Sequence, residues 1–391
     1  MFRRILTTLI LMMVMTSGAA LAQETPLPPA TTPPAKAKPM PAPRAVPAPP
    51  RATTPRPPAG VYVAPLPGEE QPTPLTMKVA RNVRVAVTSQ RVNVHISGID
   101  GDTLEATASS DEGPYPVKAQ TTGDEANPKI LIYVPVTPGR HAGRDIKLTI
   151  KLPRYVTIDA VESATGDIEV SGMEAPVAAS TNNGAITVVR VASLKASTRH
   201  GEITAREIKG DAVARSTNGD LTFEDIGGAV DAAATNGSLN VRNAAGDLRA
   251  NLTVGEVIAQ CIKGRAEVNT VSGTIQLLGV GGDVEAVSTS GEVTFTGRIR
   301  NGGRYRLKSI SGAIEMHIQA DAPGFTATLM TYNGDIDTAF PLKLESQASG
   351  GSTNRRLVGR YGDGSTQLIL DSFSGGVQLA KAKADALKTC K

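Results

Sequence analysis

In a recurring series of eleven glycines, six are directly followed by an acidic residue: Asp167, Glu202, Asp220, Glu256, Glu292 and Asp335. Stacked on one edge of a fold, such carboxylates offer the oxygen ligands that hard divalent cations prefer. The chain lacks the G-G-x-G-x-D nonapeptide of calcium-binding β-rolls, and neutral residues interrupt the acidic series. The expected role is therefore a solvated, solubilising edge. The four histidines are His95, His141, His200 and His317, and no two lie at metal-ligand spacing. Glycan cleavage needs two carboxylates facing one bond, whereas these acids are spread along the chain. There is no Trp and there are only seven Tyr and six Phe to hold sugar rings. G-x-S-x-G is absent, and the Cys and His residues form no recognisable nucleophile pair. The residues accordingly nominate no catalytic, cofactor-binding or metal site, and a non-enzyme is expected.

The N-terminus has the form of a secretory signal. Arg3 and Arg4 precede the mostly apolar run Ile5 to Met15, and Ala20-Leu21-Ala22 gives an A-x-A cleavage pattern before Gln23. The run is too short to span a bilayer, and no cysteine at the cleavage point suggests a lipid anchor. An exported protein of the periplasm, cell surface or exterior is expected, with no transmembrane segment in the mature chain. Residues 23–75 hold 18 of the 27 prolines and read as a disordered, extended linker. Lys36, Lys38, Arg44, Arg51 and Arg56 make this linker basic. The formal charge of the whole chain, +4, gives no push toward nucleic acid. Cys261 and Cys390 are too few for a disulfide framework. They read as one inward-lying thiol and one on a loose tail, although an oxidising compartment permits them to pair.

The elements that position these residues are repeats. A Gly followed two residues later by an aliphatic side chain recurs at Gly166, Gly184, Gly201, Gly219, Gly237, Gly255, Gly273, Gly291, Gly312, Gly334 and Gly375. The early steps are 18 residues, with one of 17, and the last three stretch to 21, 22 and 41. With each Gly as position 0, position +2 is aliphatic in every copy, from Ile168 to Val377. Position +4 is usually apolar, and position −3 is Ser or Thr in nine of eleven copies. A second Gly lies at +9 in Gly210, Gly228, Gly246, Gly264 and Gly282. Spacing of two places side chains on one face of a strand, and a fixed period of this length marks a solenoid. The expected fold is all-β, a single-chain parallel β-solenoid (β-helix) of about 18 residues per coil. Glycines turn its corners. Asn182, Asn183, Asn218, Asn236 and Asn333 sit just before those corners, tolerating the left-handed conformation and bonding along the stack.

The expected organisation is a signal peptide (1–22), a linker (23–75), a β-rich lead-in or cap without the period (76–152), the solenoid with its C-terminal closure (153–380) and a charged tail (381–391). Pro341 to the Gly359–Gly364 turn is expected to close the far end. Leu368–Leu370, Val377 and Leu379 are expected as the last strands.

Leu152-Pro153 and Thr157-Ile158-Asp159, followed by Ser163-Ala164-Thr165-Gly166-Asp167-Ile168-Glu169-Val170-Ser171-Gly172, carry a resemblance. Together with Tyr361-Gly362-Asp363-Gly364 and Ser374-Gly375-Gly376-Val377, they resemble the bacterial putative-adhesin β-strand-repeat family over residues 79–380. That family has no assigned biochemical function and no agreed catalytic residues. The resemblance implies an adhesin-like, non-catalytic protein that presents a binding surface at the cell envelope. Its partner would be a protein, a glycan or another copy of itself. A self-assembling envelope protein and a glycan-active β-helix enzyme are the rival readings. A stacked core makes one prediction at this stage. Ile275→Asp would bury an unpaired charge and cost about 4 kcal/mol or more, so a denaturant titration showing unchanged stability would remove the solenoid.

Overall fold

A computed structural model describes residues 74–122, 128–135, 145–349, 355–383, 385 and 390. The signal segment, nearly all of the Pro-rich linker, His141 and most of the tail lie outside these residues. Among the described residues there is no helix, and the elements form one continuous β-system.

Each repeat is one rung with two strands, one on each of two facing sheets. Ser193–His200 lies on sheet B, Gly201 turns the corner, and Ile203–Ile208 lies on sheet A. A second corner at Gly210 leads into Ala212–Asn218, back on sheet B. Successive rungs pair in parallel and in register, so Ile186, Ile203, Leu221, Leu239, Val257, Ile275, Val293 and Ile314 form one column. All of these are buried, and one hydrophobic cluster runs from Val79 to Leu379. The alanine column Ala179, Ala196, Ala214, Ala232 and Ala250 on sheet B keeps the interior thin enough for two sheets to close.

The corner glycines are required twice over. Gly219 has φ of 144°, outside the reach of most L side chains. A Cβ there would also lie 1.9 Å from the Gly201 carbonyl oxygen of the preceding rung. The asparagines before the corners keep ordinary φ, in contrast to the expectation, because glycine itself takes the turn. Their side chains bond along the stack as expected: Asn236 Nδ2 donates to Asn218 Oδ1 at 3.0 Å, and Asn218 Nδ2 meets His200 Nδ1 at 3.2 Å.

The left-handed conformation falls at position +6, which the sequence reading passed over. Arg190, Glu207, Asp225, Asn243 and Cys261 have φ of 54–59°, one above another, between Gly172 (72°) and Gly279 (69°). This stacked bulge turns two consecutive residues outward and returns the chain inward at +7. In Ile203–Ile208, the buried residues are therefore Ile203, Ala205 and Ile208. A non-glycine residue there costs roughly 1–2 kcal/mol alone, and the neighbouring rungs hold it in place.

The chain order and the spatial order differ at both ends. Arg84–Ile99 bends through a corner and forms a complete rung, with Val92 where later rungs have glycine. It sits between Lys129–Tyr133 and Thr157–Thr165 on sheet B, and between Ile146–Pro153 and Ile168–Ser171 on sheet A. At the other end, Thr366–Ser374 and Val377–Lys381 slot between the rung at Gly312 and the rung at Gly334. The last strands in sequence are thus one place in from the physical end. Antiparallel strands then cover the ends: Lys118–Thr122 and Thr103–Ser110 at one, Arg355–Tyr361 and Lys343–Ser349 at the other. Sheet B at both ends and sheet A at the N-terminal end thus finish in antiparallel strands, while at the far end of sheet A the short Ile336–Thr338 is paired on one edge among the described residues.

Cys261 and Cys390 form a disulfide with Cα atoms 5.2 Å apart, which corrects the expectation of two separate thiols. Ala382 N–H still donates to Ile318 of the rung at Gly312, yet Cys390 reaches three rungs back to the left-handed column. Gly279 makes room for it, since a Cβ there would lie 2.4 Å from Cys390 Sγ.

Two predictions follow from this architecture. Gly219→Ala should destabilise the protein by about 1–3 kcal/mol more than Gly101→Ala, whose φ is 117° but whose Cβ would meet nothing within 4 Å. Equal losses in urea unfolding would show that corner crowding is unimportant. Reduction should cost about 2–5 kcal/mol, because the bond spans 129 residues. Cys390→Ser should show the same loss and no response to reductant in thermal melts.

Candidate functional site

Stacking puts every repeat position into a column, so candidate residues far apart in sequence become neighbours. The acidic residues after the corner glycines do line up, but they act within the fold. Asp167 Oδ1 accepts the Ala185 N–H at 2.8 Å, and Asp220 Oδ1 accepts the Ser238 N–H at 2.7 Å. Each carboxylate satisfies a backbone donor on the next rung. Glu256 takes a bond from Gln276 at 3.0 Å and Glu292 one from Thr294 at 3.0 Å, while Asp335 pairs with Arg355.

The opposite corner repeats this device in a series that the sequence reading missed. Asp211, Asp247 and Asp283, each after a +9 glycine, accept the N–H of Ala229, Arg265 and Arg304 at 2.8, 2.8 and 3.0 Å. The Gly-Asp pairs 210–211, 246–247 and 282–283 were the available signal. Asp283 also receives the Arg300 guanidinium at 2.6 Å. The Arg300 hydrogen bond, aided by the Arg304 N–H, holds its carboxyl below the ordinary aspartate range.

The Ser and Thr residues at −3 point into the corner. Thr331 Oγ1 donates to Gly375 O at 2.8 Å, Ser309 Oγ to Gly291 O at 3.0 Å, Ser372 Oγ to Gly312 O at 3.0 Å and Thr198 Oγ1 to Gly184 O at 3.3 Å. These buried hydroxyls bind a corner to its neighbour's carbonyl, whereas the Ser216 and Thr270 hydroxyls at the same position have no hydrogen-bond partner. Their abundance reflects structure rather than nucleophilic chemistry.

The three described histidines stay apart. His95 meets Glu169 at 2.9 Å and His317 meets Glu315 at 3.2 Å, while His200 belongs to the asparagine ladder. Among the described residues, no three His, Cys, Asp or Glu side chains gather into a cation site.

The outer face of sheet B is the most elaborate polar surface. Arg265 bridges Glu267 and Glu285 at 3.8 and 3.1 Å, Arg249 reaches Glu267 at 3.5 Å, and Arg306 reaches Glu285 at 3.4 Å. Arg265, Glu285 and Arg306, with Asp283, Arg304 and Asp371, line a cavity of about 510 Å³. Glu267 and Glu285 stand on adjacent rungs, and the surrounding Arg249, Arg265 and Arg306 compensate the middle of this face.

Asp283 gives a pH prediction. Its folded pKa is depressed, so its stabilising contribution is complete at neutral pH and is lost as pH falls through that lowered value. The stability gap between the wild type and Asp283→Asn should be widest at neutral pH and close in acid. Melting curves at several pH values would show this, and a gap independent of pH would contradict the Arg300 pairing.

The Toastrack DUF4097 family model matches residues 78–380. No curated protein matches the chain. Two solved structures are similar at low identity. A putative cell adhesion protein from Clostridium sporogenes ATCC 15579 is 8% identical, covering 80% of this chain and 100% of its own, with a TM-score of 0.19. A putative lipid binding protein from Parabacteroides distasonis ATCC 8503 is 16% identical, covering 62% and 96%, with a TM-score of 0.27. Both scores are too low to define a topology shared with this chain. The stacked two-sheet rungs span the region matched by the family model: the chain belongs to the Toastrack DUF4097 family.

Proposed function

We propose that this is an exported, non-catalytic, adhesin-like protein that presents a rigid binding face at the cell envelope. One observation carries the reading. The in-register rungs build a continuous outer face on sheet B, roughly 60 Å long at the ~4.8 Å spacing of paired strands. A long surface made from local contacts suits recognition of an extended partner better than turnover of a small one.

The supporting features point the same way. Residues 1–22 have the form of a cleaved signal, and residues 23–75 would space the solenoid from an attachment point. The Cys261–Cys390 disulfide is at home in an oxidising compartment. Among the described residues no helix is long and apolar enough to cross a membrane. End-to-end self-assembly is the weaker reading, since antiparallel strands cover sheet B at both ends of the solenoid.

Protease treatment of intact cells carrying a tagged copy tests the location. Cleavage on intact cells is expected for a surface adhesin, whereas protection until the outer layer is opened would confine it to the periplasm. The mature protein should begin at Gln23; a protein that retains Met1 and stays in the cytoplasm would overturn the reading.

A further inference from the structure

Toward its N-terminal end, sheet B keeps ion pairs on its flank, where Arg84 and Lys129 meet Asp159 at 3.4 and 3.6 Å, but among the described residues the outward columns nearer the corners have none. Tyr133, Thr88, Glu162, Ser180, Ser197 and Arg215 stand in one column across six adjacent strands. At ~4.8 Å per strand this column is about 24 Å long. It lines two adjoining depressions of about 610 and 410 Å³ that share Thr88 and Ser89. Arg199 lies on the neighbouring outward column, one rung from Arg215, and also lines the larger depression. Among the described residues neither guanidinium has an acidic partner, unlike Arg249, Arg265, Arg300 and Arg306 further along.

We propose that this groove binds an acidic oligosaccharide, with a sugar carboxylate seated at Arg199 and Arg215. The chemistry selects this class. A row of hydroxyl side chains exchanges hydrogen bonds with sugar hydroxyls. A guanidinium pair is suited to bidentate recognition of a carboxylate. Tyr133 offers an apolar ring with a polar tip at the far end. Glu162 excludes a uniform polyanion such as polyphosphate or nucleic acid, since every phosphate passing it would meet like charge. It accepts hydroxyl protons from the uncharged part of a sugar instead. The length fits a few sugar units in extended form.

This inference rests on the binding-face reading and names its ligand class. Calorimetry on the full mature chain would use a hyaluronan tetrasaccharide, in which acidic and uncharged sugars alternate, its carboxyl methyl ester and inorganic phosphate as probes. The acidic tetrasaccharide should bind, the ester should bind at least tenfold more weakly, and phosphate should not match the acid. The double variant Arg199→Gln/Arg215→Gln should lose at least tenfold in affinity, while Arg249→Gln, on the same sheet outside the groove, should not. All three targets are exposed, and superimposable melting curves would show that the variants are folded. Failure of the acidic tetrasaccharide to bind, equal binding of acid and ester, or full binding by the double variant would overturn the proposal. Retention on isolated envelope material separates the two readings. Wild type and double variant retained alike would sink the groove and leave the binding face standing, whereas no retention of either would sink both.

Discussion

The structure depends on one constraint: each corner must stack on the corner below with every backbone polar group satisfied. Two parallel strands on facing sheets provide the ladders, but a corner interrupts them and leaves donors and acceptors to be paired. The solution draws on three devices, not all of them present on every rung. A glycine lets the chain approach the carbonyl of the preceding corner, a buried Ser or Thr at −3 donates to that carbonyl, and an Asp after the turn accepts an N–H from the next rung. Where Ala234 and Leu252 replace the hydroxyl, the apolar side chain stays buried and the ladders on both sides hold the register. The corner thus explains the repeat's composition, including the acids and hydroxyls that could be mistaken for chemistry.

The same constraint makes the ends the weak points, because a terminal rung has a neighbour on only one side. The chain answers by placing its first and last rungs one place inward. Arg84–Ile99 and Thr366–Ser374 each pair on both edges, and the outermost positions fall to segments tethered at both of their ends. Fraying from a free terminus would therefore have to open an internal rung, which loses pairing on two edges at once. Phe373 on the inserted rung stacks on Tyr332 of the outer one, with centroids 4.9 Å apart. The disulfide works in the same sense, returning residue 390 to mid-solenoid instead of leaving it beyond the last rung.

How much of this was legible follows from the physics. Anything repeating with the rung was readable: the strand at +2 and +4, the Gly corner and the asparagine ladder. The +6 bulge was encoded too, because buried Ala205 and Ile208 lie three apart where simple alternation demands two. Its occupants, Arg, Glu, Asp, Asn and Cys, share no side-chain signature, so the backbone's left-handed turn left no motif. The disulfide was not readable, since the separation of 129 residues says nothing about a tail that reverses direction. The inward placement of the end rungs was hidden for a related reason. Register between rungs is chosen by side-chain shape, and rung order in space need not follow the chain. The groove was invisible as well, because Thr88, Tyr133 and Arg215 meet only once Arg84–Ile99 is seated as a rung.

A fold of this kind separates the residues that hold it together from those that face outward. Inward columns are fixed by packing and corner columns by hydrogen bonding. The outward columns are bound chiefly by charge balance: where like charges fall opposite, as at Glu267 and Glu285, Arg265 reaches both. They are also where the chain varies along its length. The column at −4 is mixed: Glu162, Ser180, Ser197 and Arg215 give way to Ala233, Asn251, Asn269 and Val287, and then to Lys308 and Asp371, which pair with each other at 3.8 Å. The column at −2 turns apolar toward the C-terminal end, where Val271, Ile310, Phe373 and Tyr332 are all about half exposed. A solenoid whose outer columns served only solubility would have no reason to gather exposed apolar groups at one end of the −2 column. Segregation along the axis is what a surface acquires when different stretches of it meet different chemistry.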